Sequence, residues 1–203
     1  MWDLIDRRLQ FTIIIWAGIL VAWAADAFYA LILENHLGVL KWISLSVTIV
    51  GSVLTWMANA FWRQLWRKIP ALGKMLFPDL NGVWTGHLIS TWKKQGTDEA
   101  LPPIPATVTI RQGLFSTTVS LKTGESMSHS TRTFLEPFRD TNRYRVWYSY
   151  NNDPQAQHRH RSSPHEGVAF LEVALDTDPN HLEGRYYTAR KTTGDITLTR
   201  VSD

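Results

Sequence analysis

No cysteine occurs in the chain, which excludes a disulfide framework, a thiolate-held metal and a cysteine nucleophile. Charge is scarce too: Asp, Glu, Lys and Arg make up 19% of the 203 residues, against 44% hydrophobic and 12% aromatic. So apolar a chain buries enough surface to order itself, and intrinsic disorder is excluded. Its length admits one compact domain with a small appendage and excludes a large multidomain enzyme. There is no GxxxxGK[ST], GxSxG, HExxH or CxxC, so phosphate-loop, hydrolase-elbow and zinc-hydrolase chemistries lack their starting residues. No carboxylate pair stands out, and no enzymatic activity is expected.

The few charges are unevenly placed. Residues 1–77 hold seven Lys and Arg against four Asp and Glu, whereas 78–203 hold fourteen of each. The net charge of +3 is therefore N-terminal, and the C-terminal part lacks the positive field that binding DNA or RNA requires. Seven of the ten tryptophans also precede residue 67, so composition and charge divide the chain at the same place.

The N-terminal part is built for lipid. Residues 11–33, FTIIIWAGILVAWAADAFYALIL, carry one charge, Asp26, and 42–62 carry none; each is long enough to span the hydrocarbon as a helix. The short connection between them makes residues 1–69 an antiparallel two-helix hairpin, with 70–77 as a linker. Arg7 and Arg8 precede the first span, and Arg63, Arg67, Lys68 and Lys74 follow the second, which puts both termini in the cytoplasm. A cleaved signal peptide would need Ala22-Trp23-Ala24 as its site, but the apolar run continues to Leu33 and a second span follows at once. On the first helix Gly18, Ala22 and Asp26 share a face, and on the second Ser44, Thr48, Ser52 and Asn59 do. Small and hydroxyl residues favour close helix association in lipid. An intramembrane carboxylate is costly on the lipid face, so Asp26 either hydrogen-bonds within its own hairpin or lines a polar seam between several.

After Pro78 the pattern changes to period two. Eight strands are expected at 81–92, 106–112, 114–122, 126–136, 143–151, 167–175, 181–190 and 195–201. Eight short antiparallel strands remove their edges by closing into a β-barrel, whose lumen is filled by side chains or holds one small ligand. Alternation turns Val108 and Ile110, Phe115 to Leu121 at odd positions, Tyr144 to Tyr150 at even ones, and Leu171 and Val173 inward. The segment 126–133 is hydroxyl-rich on both faces and would make a poor dry wall.

Two inward arginines are expected near strand ends. Arg200 pairs with Trp84 as a structural cation–π plug of the lipocalin kind. Arg190 shares a face with Thr188 and Tyr186, and an arginine fork there suits phosphate oxygens. With Tyr148, Ser90, Thr131 and Arg132 these residues form the candidate ligand site. His158, His160 and His165 tempt a metal assignment, but interleaved arginines and turn-forming residues mark a solvated loop, so no metal is expected.

A basic-flanked helix pair, a short linker, the opening PDLNGVWTGHL with Leu80, Gly82 and Trp84, and the closing LEGRYYTARKTTGDITLTR with Gly184 and Tyr186 resemble the two-transmembrane β-barrel effectors of CBASS, the bacterial cyclic-oligonucleotide-based antiphage signalling system. The resemblance implies a barrel that binds a cyclic dinucleotide made by a partner CD-NTase, with no other cofactor. It further implies homo-oligomerisation in the inner membrane and loss of membrane integrity. A membrane-tethered lipocalin-like binder of a small apolar ligand, without lytic activity, and a purely structural anchor stand as the alternatives.

Overall fold

A computed structural model of the chain describes residues 6–33, 39–56, 61–93, 100–160 and 162–202. The proline-free apolar run forms α1, Arg7–Leu33, which Asp6 starts by accepting a hydrogen bond from the Arg8 backbone N–H at 2.7 Å. By length and composition its Arg7–Leu31 stretch can cross a membrane. Helix α2, Val39–Trp56, lies against α1, but its apolar stretch, Lys41–Val53, is shorter than the roughly 20 residues a span usually takes. Asn59 and the connecting residues 34–38 lie outside the described residues.

The two helices do not meet as the small-residue stripes suggest. On α1 the packed face is the expected one, with Ala22 2% exposed and Gly18, Ala25, Asp26 and Tyr29 partly covered. On α2 the packed face is Trp42, Ser46, Ile49 and Val50, whereas Ser44, Thr48, Gly51, Ser52 and Thr55 are exposed. The reason is steric and electrostatic together. The larger Trp42, Ile49 and Val50 are the partly covered side chains of α2, while the Thr48 and Thr55 hydroxyls donate to the carbonyls of Ser44 and Gly51 in their own helix, at 2.9 and 2.8 Å.

Trp62, expected at the end of the second span, belongs instead to α3, Trp62–Lys68, and is buried among the barrel's core residues. A second short helix, α4, Pro70–Met75, follows with proline in its first turn, where the missing N–H costs nothing.

The period-two region forms β1 Gly82–Ser90, β2 Ile104–Gln112, β3 Thr117–Thr123, β4 Ser126–Phe138, β5 Arg143–Pro154, β6 His165–Ala174, β7 Asp178–Thr188 and β8 Thr193–Ser202. They close in sequence order as an antiparallel barrel, with β8 returning to β1. Val108, Ile110, Val119, Val146, Leu171, Val173, Leu182 and Leu198 are 1% exposed or less, so alternation assigns the faces of these strands correctly. Two local expectations fail. Phe115 is 59% exposed, because β3 begins only at Thr117 and the turn before it is closed by a Gly113 N–H to Ser116 carbonyl bond of 2.7 Å. In β4 a bulge between Ser130 and Arg132 inserts Thr131 as an extra residue, so inward positions switch from even before it to odd after it.

One end of the barrel is sealed. Trp84, Phe77 and Leu80 are at most 1% exposed and pack with Trp62 of α3, while the Trp66 indole donates to the Phe77 carbonyl at 2.8 Å. The buried Gln112 amide accepts from the Leu80 N–H at 2.7 Å and donates to the Pro78 carbonyl at 2.9 Å. Arg200 lies 4.4 Å over the Trp84 ring and donates to the Asp79 carbonyl at 2.6 Å. The Asp79 carboxylate in turn accepts from Arg63 of α3 at 2.8 Å. Arg200→Ala removes the ring contact and the hydrogen bond together, and is expected to cost about 2 kcal/mol. Urea unfolding followed by tryptophan fluorescence measures this; an unchanged midpoint would show that the seal does not rest on Arg200.

Candidate functional site

At the opposite end the filling stops short. The ends of the strands surround a cleft of about 710 Å³, within the usual range of small-molecule sites. Its floor is apolar, made by Leu88, Leu121 and Ile196, and its rim carries Trp92, Leu101, Pro102 and Pro103.

Three tyrosines form the aromatic part. Tyr148 and Tyr150 follow one another on the inward face of β5, ring centroids 5.9 Å apart, and Tyr186 projects from β7. Two glycines make room for them. A Cβ at Gly167 would strike the phenol end of Tyr150, and one at Gly194 the phenol end of Tyr186. Burial raises the pKa of all three phenols. Tyr148 is pushed far above the ordinary phenol value, Tyr150 up to about 12, and Tyr186 upward despite its hydrogen bond with Ser90. All three stay neutral phenols and can donate.

The cationic part sits at the mouth. β7 ends at Thr188, two residues earlier than expected, so Arg190 is not an inward strand residue but an exposed member of the β7–β8 turn. Thr188 and Thr192 brace that turn through a hydroxyl pair of 2.7 Å, and Lys191 takes a left-handed φ of 62°. The guanidinium still lines the cleft. It donates to Ser162 Oγ at 3.0 Å and faces His165 Nε2 at 3.4 Å. Because His165 Nδ1 lies 3.0 Å from the Ser163 carbonyl, which can only accept, Nδ1 carries the proton and Nε2 accepts from Arg190.

The polar groups of the inner wall are unanswered. Among the described residues nothing hydrogen-bonds the side chains of Ser128, Tyr148, Tyr150 or Asn152, all of which line the cleft. Ser128 is 5% exposed and Tyr148 3%. Their polar atoms open onto the cleft and keep their hydrogen-bonding capacity for an occupant.

Of the residues expected at the site, the structure brings Arg190, Thr188, Tyr186, Tyr148 and Ser90 together around the cleft. Thr131 and Arg132 are not there. The β4 bulge turns both outward, and the Thr131 hydroxyl instead pairs with that of Ser149 at 2.7 Å. Ser128 and Asn152 were missed. Asn152 stands two residues beyond Tyr150 on the same face, one position past the expected end of its strand, and Ser128 is its cross-strand neighbour. Among the described residues no cluster of three His, Asp or Glu side chains could hold a metal.

A family model described as Cap15, cyclic dinucleotide receptor domain, matches residues 75–200, which takes in nearly the whole barrel. No curated protein matches the chain.

His165 gives the site a pH signature. Burial is the largest cause holding it below its usual 6.5, and the adjacent Arg190 adds to the effect. An unfolded chain therefore binds this proton first as pH falls, so the folded state loses stability on acidification below about 6.5 and levels off once the folded residue is also protonated. Thermal melts across that window are expected to show a shallower slope for His165→Gln than for the wild type; superimposable slopes would remove His165 as the cause.

Proposed function

The chain belongs to the Cap15 cyclic dinucleotide receptor domain family, and from that premise we propose that the open end of its barrel receives a cyclic dinucleotide and that occupancy drives its membrane helices to assemble. What carries this reading is the unanswered polar wall beside the three tyrosines and Arg190. Such a ligand needs aromatic faces for bases, a cationic fork for phosphate and neutral hydrogen-bonding groups for polar edges. Tyr148, Tyr150, Tyr186 and Trp92 supply the first, Arg190 the second, and Ser128 and Asn152 the third.

The lipocalin-like alternative fits less well. An apolar occupant would displace water from four polar side chains and leave each unsatisfied, at about 1–3 kcal/mol apiece. A structural anchor has no use for an open cleft.

The membrane half of the proposal is an effector of CBASS in the bacterial inner membrane. Its α1 and α2 form a multi-pass hairpin with cytoplasmic termini, and its ligand comes from a partner CD-NTase. Cations mark the outer ends of the pair, with Arg7 and Arg8 in the first turn of α1 and Arg63, Arg67 and Lys68 after α2, in keeping with that orientation. A ligand can drive association only if it binds the assembled state better. The exposed Ser44, Thr48, Gly51 and Ser52 face of α2 is not occupied by α1, and it offers small and hydroxyl residues to a neighbouring hairpin in lipid. Assembly of many such pairs around polar residues breaches the bilayer and kills the cell.

Arg190→Ala in the full chain, held in detergent, is expected to weaken cyclic dinucleotide binding by roughly 10- to 100-fold with little change in melting temperature. Calorimetry reads the affinity, and full retention would take the phosphate away from Arg190. Asp26→Leu should leave that affinity unchanged while lowering ligand-dependent toxicity in cells. Undiminished killing would remove Asp26 from the assembly.

A further inference from the structure

The two missed residues carry more than general polarity. Ser128 on β4 and Asn152 on β5 are direct cross-strand partners, both facing the cleft. Neither side chain has a hydrogen-bond partner among the described residues. Together they offer one hydroxyl, two amide N–H donors and one amide carbonyl.

Phosphate is poorly served by such a pair. The cleft-lining residues of β4 and β5 are Ser126, Ser128, Tyr148, Tyr150, Asn152 and Pro154, and none of them carries a charge. The guanidinium and the imidazole come instead from the β7–β8 turn and the start of β6, at Arg190 and His165. His165 is the cross-strand partner of Asn152 on the side away from Ser128, Arg190 reaches that imidazole at 3.4 Å, and Glu125 of the β3–β4 turn adds a carboxylate to the lining. Asn152 thus stands between the uncharged Ser128 and the cationic pair, with tyrosine rings beside it. A carboxamide beside an aromatic face matches a nucleobase, which presents donors and acceptors at its edge and a flat π surface perpendicular to them.

Building on the receptor reading above, we propose that Asn152, assisted by Ser128, reads the hydrogen-bonding edge of one base, and that this pair sets which cyclic dinucleotide the protein prefers. Arg190 contributes affinity common to all members of the class, since every cyclic dinucleotide carries the same phosphates. Asn152 contributes differences between them.

The test is a ranking. Full-length protein in detergent is titrated by calorimetry with cyclic di-AMP, cyclic di-GMP, cyclic di-UMP and the mixed cyclic AMP–UMP. The wild type is expected to separate the best from the worst of these, and Asn152→Leu, close in size but unable to hydrogen-bond, to shrink that separation by about tenfold or more. Arg190→Ala should weaken every member by a similar factor and keep the order. Ser128→Ala, a smaller change that spares the strand, should narrow the separation in the same direction and stands in if the leucine variant does not fold. A uniform loss in Asn152→Leu, an unaltered ranking, or a wild type that binds all four equally overturns the edge-reading role while leaving the receptor reading intact. Binding of none of the four by the wild type overturns the receptor reading, and this inference with it.

Discussion

Closing eight strands into a cylinder removes every sheet edge, but it creates an interior that must be filled from a limited set of inward positions. Nearly every other feature of the molecule follows from how that filling changes along the axis. On β1 the inward residues run Trp84, Leu88, Ser90; on β5, Tyr144, Val146, Tyr148, Tyr150, Asn152; on β7, Leu182, Gly184, Tyr186, Thr188. Each strand passes from fully buried apolar and aromatic groups to a polar residue in the same direction. The result is a plug at one end and a cleft at the other. A barrel packed evenly from end to end would gain hydrophobic stabilisation and have nowhere to receive a ligand.

The plug is also where the chain from the membrane enters. Trp62, Trp66 and Phe77 form an aromatic cluster with centroids 5.1–5.7 Å apart, so α3 docks on the barrel through buried rings. A continuous line of contacts runs from there to the cleft. Arg63 holds Asp79, the Asp79 carbonyl accepts from Arg200, and Arg200, Leu198 and Ile196 are successive inward residues of β8, the last of them in the cleft floor. Close-packed interiors transmit displacement because they have no slack to absorb it. On the reading proposed above, a ligand pressing on Ile196 would act on the strand that Arg200 ties to Asp79 and Arg63.

The barrel was legible because it rests on alternation, a local property: all eight strands and most of their faces can be read from polarity alone. The departures arise where alternation carries no signal. In β4 both faces are hydroxyl-rich, so the extra residue at Thr131 disturbs no visible pattern, and the two residues beyond Ser130 are misassigned to the interior. On α2, apolar and small residues all suit lipid, and only the shape of α1 decides that Trp42, Ile49 and Val50 turn inward. Trp62 reads as an interfacial tryptophan and is instead a barrel residue, a tertiary choice that composition does not reveal. At the site, the rim was harder than the wall. Whether a strand ends at residue 188 or 190 changes Arg190 from an inward side chain to a turn residue, although the hairpin still delivers its guanidinium to the cleft.

A cyclic dinucleotide of two identical bases has two-fold symmetry, and a single meander barrel has none. Within one protomer, therefore, the two nucleotides of a bound ligand meet different surroundings. Ser128, Asn152 and His165 follow one another across β4, β5 and β6, Arg190 joins them from the β7–β8 turn, and the remaining lining carries no Lys or Arg. At the rim, Trp92 and the prolines 102 and 103 present apolar faces with few donors or acceptors. On the reading proposed above, one nucleotide would have its base stacked and its edge read in the interior, while its neighbour would be held mainly through shape and stacking at the rim, where water competes for its edge. Discrimination would then concentrate in the inner half.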